Sequence, residues 1–191
     1  MQKTNNVFID CLQKVLQSRF FNTSTTDNTS PIFPLKDPDS GMKVNITAYP
    51  ASILSVAIGN GPNKVNHHPC LTQVKDCDWR KVCDYLLIFE LDAKLFAVLI
   101  ELKKSLNEQD KGKEQLVRSS PILDYLLAVC RIELQGHINP VIKHVLIAEK
   151  SSEKLDKQPI RPRPQDVKET KYKTERIKIV TGTEFPIKVL I

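Results

Sequence analysis

The sequence predicts an α+β fold with one principal domain, on three observations. Apolar residues recur at helical spacing near the N-terminus (Phe8, Cys11, Leu12, Val15, Leu16, Phe20). Residues 84 to 103, DYLLIFELDAKLFAVLIELK, read as two apolar strands joined by a tight turn. A second helical stripe (Leu116, Leu123, Leu126, Leu127, Cys130, Leu134) is then followed by the short apolar run His144 to Ala148. The expected organisation is a core domain over 1–150, a basic linker over 151–175 and a strand extension over 176–191.

Taken in order, residues 5 to 21 form an amphipathic helix. Asn22 to Ser30 is a polar loop with nothing to bury, and Pro31, Pro34 and Pro38 keep the chain open as far as Gly41. Val44 to Ile58 is strand material interrupted by Pro50, and Asn60-Gly61-Pro62 ends it with a turn. After the hairpin, a polar segment over 104 to 114 leads into the long helix. Ser119-Ser120-Pro121 marks a kink or a fresh start there, because proline is tolerated in a first helical turn. Gly136 closes that helix. Residues 150 to 176 carry nine Lys/Arg against five Asp/Glu and three prolines, the composition of an extended linker. Arg176 to Thr181 and Phe185 to Ile191 are two last strands around Gly182.

Composition narrows the function classes. No apolar run approaches the length that crosses a bilayer, and the N-terminus lacks a charged start followed by an apolar secretory core, so neither a membrane protein nor a secreted one is expected. The five cysteines form an odd set without a regular framework and read as reduced thiols of a cytoplasmic protein. His67, His68, Cys70, Cys77 and Cys83 do not have the short paired spacings of a structural zinc site. A net charge of +6 tilts the expected partner toward something anionic.

The hairpin carries the chemistry. A turn centred on Asp92-Ala93 pairs Glu90 with Leu95, and counting back from there sets Asp84 directly opposite Glu101. Opposed residues have Cβ atoms roughly 4.5–5.5 Å apart. Two carboxylates that close repel each other, and burial would raise the pKa of at least one; a divalent cation between them removes the penalty. Lys103 follows Glu101 by two residues, so the pleat sends both side chains to one face. Cys83, adjoining Asp84, is expected on the opposite face in packing. The alternative reading is that Asp84 and Lys103 are solvent-facing strand ends forming a cross-strand ion pair, with Glu101 merely nearby.

With Asp84 opening one strand and Glu101-Leu102-Lys103 ending the next, between two helices and before a last strand, the chain resembles the PD-(D/E)XK nuclease superfamily. The likeness spans roughly residues 5 to 149 in element order, on a motif of three residues. It implies a restriction-endonuclease-like αβββαβ core, a mixed central sheet flanked by helices, with extra C-terminal strands here. It also implies a metal-dependent endonuclease or exonuclease. Asp84 and Glu101 would hold Mg²⁺, with Mn²⁺ as substitute, and Lys103 would orient the attacking water and stabilise charge on the phosphate. Gln115 resembles the residue that several branches of the superfamily place beside that lysine. Cys83 stands where the motif has Pro, and the first helix offers only Asp10 where many members have a Glu ligand.

The implied partner is nucleic acid, DNA ahead of RNA, with a role in restriction or defence and pairing as a homodimer by analogy alone. Lys104, Lys113, Arg118, Trp79 and Arg80 are candidate nucleic-acid contacts. An exposed helix face serves equally for Lys113, Gln115 and Arg118, and a half-buried loop anchor for Trp79. The rival class is a nuclease-fold module with weak or no activity that binds nucleic acid or a protein partner.

Overall fold

The computed structural model describes residues 4–16, 21–22, 32–47, 53–59, 73–74, 77–78, 81–149 and 177–191. Trp79, Arg80, His67, His68, Cys70 and the 151–175 linker lie outside the described residues, as does the side chain of Cys77. The chain runs α1 (Thr4–Val15), β1 (Phe21–Asn22), β2 (Ile32–Lys36), β3 (Lys43–Thr47), β4 (Ile53–Ala57), β5 (Gln73–Val74), β6 (Cys77–Asp78), β7 (Tyr85–Leu91) and β8 (Lys94–Lys103). After these come a 3₁₀ turn (Leu106–Glu108), α2 (Gln109–Leu134), β9 (Val141–Ala148), β10 (Ile177–Thr181), β11 (Glu184–Pro186) and a second 3₁₀ turn (Ile187–Leu190).

Six strands form the main sheet in the order β1-β4-β7-β8-β9-β10. The neighbours are antiparallel from β1 to β8, then parallel from β8 through β9 to β10. A parallel neighbour requires a long crossover, and α2 supplies it between β8 and β9. β8 is the central strand, buried along nearly its whole length, which is why it reads as an unbroken apolar run rather than an alternation. Side chains still alternate between two cores. Leu86, Ile88, Ala97 and Leu99 pack with Phe8 and Leu12 of α1 and Leu116, Leu123 and Leu127 of α2. Leu87, Phe89, Val98, Ile100 and Leu102 pack against a second sheet of order β11-β3-β2. Both α1 and α2 thus lie on one face of the mixed main sheet, and a small sheet covers the other.

Several sequence expectations are corrected. The first helix ends at Val15, and Phe21 and Asn22 pair instead with Val56 and Ser55 of β4. The stretch read as kept open by prolines contains β2, in which Pro34 sits opposite Asn45. Proline cannot donate to a ladder, but β2 is the edge of its sheet and needs no donor there. α2 runs through Pro121 without a fresh start. It ends with Gln135 in the left-handed conformation, so Gly136 follows the cap rather than making it. Of the two final strand-like pieces, the first extends the main sheet beside β9. The second is half strand, beside β3, and half 3₁₀ turn, which sends Ile187 and Leu190 into the core.

The β7–β8 turn has the expected length and register. Asp92 and Ala93 both adopt positive φ, 50° and 60°, as a two-residue turn matched to strand twist requires. Ala pays for this conformation where Gly would not. Ala93→Gly is expected to stabilise the protein by about 0.5–1 kcal/mol, less than the full left-handed penalty because glycine also loosens the unfolded chain; denaturant melting checks it.

Candidate metal centre

The hairpin ladder pairs Tyr85 with Ile100, so the next position outward sets Asp84 opposite Glu101. Asp84 opens the strand at a bend, 7% exposed, and its Oδ2 accepts the Leu102 N–H at 2.8 Å across the ladder. Glu101 is wholly buried. Its Oε1 takes a hydrogen bond from the Lys103 ammonium, while Oε2 has no hydrogen-bond partner. Lys103 Nζ also donates to Gln115 Oε1 at 2.8 Å, and Gln115 Nε2 donates to the Val82 carbonyl at 3.2 Å. Asp84, Glu101, Lys103 and Gln115 therefore meet under the first turns of α2. The solvent-facing ion pair between Asp84 and Lys103 is not what the structure contains.

Burial, and next the neighbouring charges, set the electrostatics. Desolvation pushes the Asp84 carboxyl well above the usual carboxylate range, opposed by the Leu102 N–H. Asp37, and more weakly Asp39, push it further up. Both belong to the turn after β2, which the sequence reading treated only as open chain. The Tyr85 hydroxyl brings that turn close, accepting the Lys36 N–H at 3.0 Å and donating to the Lys36 carbonyl at 2.7 Å. Glu101 is raised too, by desolvation first and then by the Asp84 charge, with Lys103 and, more weakly, the Asp84 N–H pulling the other way. Burial would lower the Lys103 ammonium, but Glu101 and Asp84 together outweigh it and the net shift is upward.

The backbone around Asp84 is held from both sides. Ile58 and Gly59 donate to its carbonyl at 2.9 and 3.3 Å. Gly59 permits this approach, since a Cβ there would stand 2.6 Å from the Cys83 carbonyl oxygen. On the α2 side, Ser119 Oγ accepts the Cys83 N–H at 2.7 Å. Cys83 is buried as expected but among the helix-side residues, not on the face away from the site, because residues 81–84 precede the strand and do not follow its alternation. Burial raises its thiol far above the ordinary range, which leaves it inert.

Gly112, which carries no side-chain signal in the sequence, is a further contributor. A Cβ there would lie 2.2 Å from Leu146 Cδ1, 3.3 Å from Glu101 Cγ and 3.4 Å from Lys103 Cγ. Its bare backbone lets α2 rest directly on the site.

The other candidates are spread more widely. Lys104 is exposed past the end of β8. Lys113 reaches Asp110 at 3.4 Å and Arg118 reaches Glu114 at 2.8 Å, ordinary ion pairs along a helix face. Asp10 is exposed on α1 and is not among the charges acting on Asp84 or Glu101. No group of three or more His, Cys, Asp or Glu side chains suited to a metal occurs among the described residues. The donor set is thus two carboxylates, the number with which Mg²⁺, keeping several waters, is ordinarily held. The unpartnered Glu101 Oε2 fits such an ion, since a buried acceptor without a donor is costly unless something cationic completes it.

No family model, curated protein or solved structure matches the chain. Among the described residues, no helix is long and apolar enough to cross a membrane.

Two outcomes are expected. The folded state binds protons at Asp84 and Glu101 more tightly than the unfolded chain, so their contribution to stability is full below the ordinary carboxylate range. It is lost as pH rises through the raised folded-state values. Asp84→Asn should flatten this dependence and stabilise the metal-free protein at pH 8 by about 1–2 kcal/mol, one pKa unit being about 1.4 kcal/mol; thermal melts from about pH 4 to about pH 9, the range of those shifts, read it. Gly112→Ala should destabilise by about 1–3 kcal/mol despite the better helix propensity of alanine. Equal or greater stability in a denaturant titration would remove the close packing argued for α2.

Proposed function

We propose that the protein is a divalent-metal-dependent nuclease of the PD-(D/E)XK type that hydrolyses phosphodiester bonds in DNA. The observation that carries this reading is the buried meeting of Asp84, Glu101 and Lys103, with Glu101 Oε2 left without a partner. Once β1–β3, β5 and β6 are set aside as insertions, the remaining α1, β4, β7, β8, α2 and β9 follow an αβββαβ order, with the acid opening the second strand and Glu101-x-Lys103 ending the third, which supports it. The net charge of +6 suits a polyanionic substrate.

A divalent ion held by Asp84 and Glu101 would acidify and orient a water and neutralise charge on the scissile phosphate. The protein's own groups do the rest. The Leu102 N–H fixes the Asp84 carboxylate through Oδ2. Glu101 Oε1 and Gln115 Oε1 occupy two of the three donors of Lys103. The third is free to meet a phosphate oxygen, where a fixed positive charge counters the negative charge that accumulates in the transition state. Gln115, tied at its other end to the Val82 carbonyl, keeps the ammonium from swinging away.

The exposed position of Asp10 favours a second reading. Without an acid from the first helix, the same site would serve a module that binds nucleic acid, or a protein partner, and cuts it poorly.

Incubation with plasmid and with linear single strands, in Mg²⁺, Mn²⁺ or EDTA, tests both. The nuclease reading expects cleavage that EDTA abolishes and that Lys103→Ala lowers about 10²- to 10³-fold. Salt-sensitive binding without cleavage by the wild type would establish the module instead, and neither binding nor cleavage would leave only a scaffold.

A further inference from the structure

Ser119 is wholly buried in the apolar stripe of α2, between Leu116 and Leu123. Packing alone would favour alanine there, because a buried hydroxyl is costly unless its hydrogen bonds are made. Both are made. The hydroxyl donates to the Gln115 carbonyl one turn back, at 2.6 Å, and accepts the Cys83 N–H at 2.7 Å. The first bond is the local one that helical serines commonly form. The second crosses to the segment that delivers Asp84.

The hairpin holds that segment only at its last residue, Asp84, whose Oδ2 takes the Leu102 N–H. The β7–β8 ladder begins at Tyr85, so the path of Val82 and Cys83 depends on neighbours outside it. From one side, the end of β4 takes the Asp84 carbonyl through Ile58 and Gly59. From the other, α2 takes the Val82 carbonyl through Gln115 and the Cys83 N–H through Ser119. Gln115 also holds Lys103, so the same helical turn grips both sides of the carboxylate pair.

We propose that Ser119 is a positioning residue which, through the backbone of Cys83, sets Asp84 at the distance from Glu101 that a divalent ion requires. The proposal rests on the metal-dependent reading above. Ser119 touches neither ion nor substrate; it acts on the strand that carries a ligand. Supporting groups of this kind typically change metal affinity about 10- to 100-fold when removed.

The test measures Mn²⁺ affinity by calorimetry and amide hydrogen exchange in wild type, Ser119→Ala and Ser119→Thr, all full-length. Ser119→Ala should bind Mn²⁺ about 10- to 100-fold more weakly. Its Cys83 amide should exchange faster, while Leu87 and Val98, in the middle of the ladder, keep their protection. Ser119→Thr, which retains the hydroxyl, should recover most of the affinity. If Ser119→Ala does not fold, Ser119→Cys carries the same expectations, being close in volume and a weak acceptor. Unchanged Mn²⁺ affinity overturns the role of Ser119, as does loss of protection throughout the sheet in step with Cys83, which is what a merely structural residue would give. A wild type that binds no Mn²⁺ overturns the metal reading itself, and this proposal with it.

Discussion

The structure depends on a conflict placed where water cannot relieve it. The hairpin register forces Asp84 and Glu101 to face each other, and the sheet buries both. Burial, and then like charges (Asp84 acting on Glu101, Asp37 on Asp84), raise the affinity of both groups for protons, and Lys103 opposes the rise in each. The lysine is committed to one oxygen of Glu101, so the compensation is partial. A fold selected only for stability would gain by replacing such a cluster with apolar side chains of similar volume.

Much of the surrounding architecture serves to keep that arrangement rigid. α2 lies close because Gly112 has no side chain, and it then reaches down with Gln115 and Ser119. Just past the end of β4, the bare backbone of Gly59 lets the Ile58 and Gly59 amides approach the Asp84 carbonyl. Tyr85, one residue beyond Asp84, points into the opposite core and fastens the end of β2. These contacts come from α2, the end of β2 and the residues after β4, so the site has its shape only when those elements are packed on the hairpin.

The hairpin was legible because its information is local: a two-residue turn and an alternating pleat leave one register, and with it the Asp84–Glu101 pairing. Leu116, Leu123, Leu126, Leu127 and Cys130 were legible as the inward stripe of a helix for the same reason. The second sheet was not. β2 carries Pro34, which is tolerated only because β2 is an edge strand, and edge position follows from long-range pairing with β3. β11 joins β3 across well over a hundred residues of chain, which no local pattern encodes. Pro121 suggested a break where helix packing held the chain continuous. Within the site, Ser119 and Gly112 look like an unfavourable hydroxyl and a weak helix former until the strand beneath them is in place. Cys83 lies two residues before β7 begins, where the alternation of the strand does not hold, and so packs on the helix side.

The proposed cation would lie between the two opposed carboxylates. Diffraction from crystals grown with Mn²⁺ tests it most directly, through the anomalous signal of the metal. The account predicts a peak between the carboxylates of Asp84 and Glu101, with Glu101 Oε2 turned toward it. Saturating Mn²⁺ that leaves this position without a peak, or that binds only elsewhere on the molecule, would contradict the account.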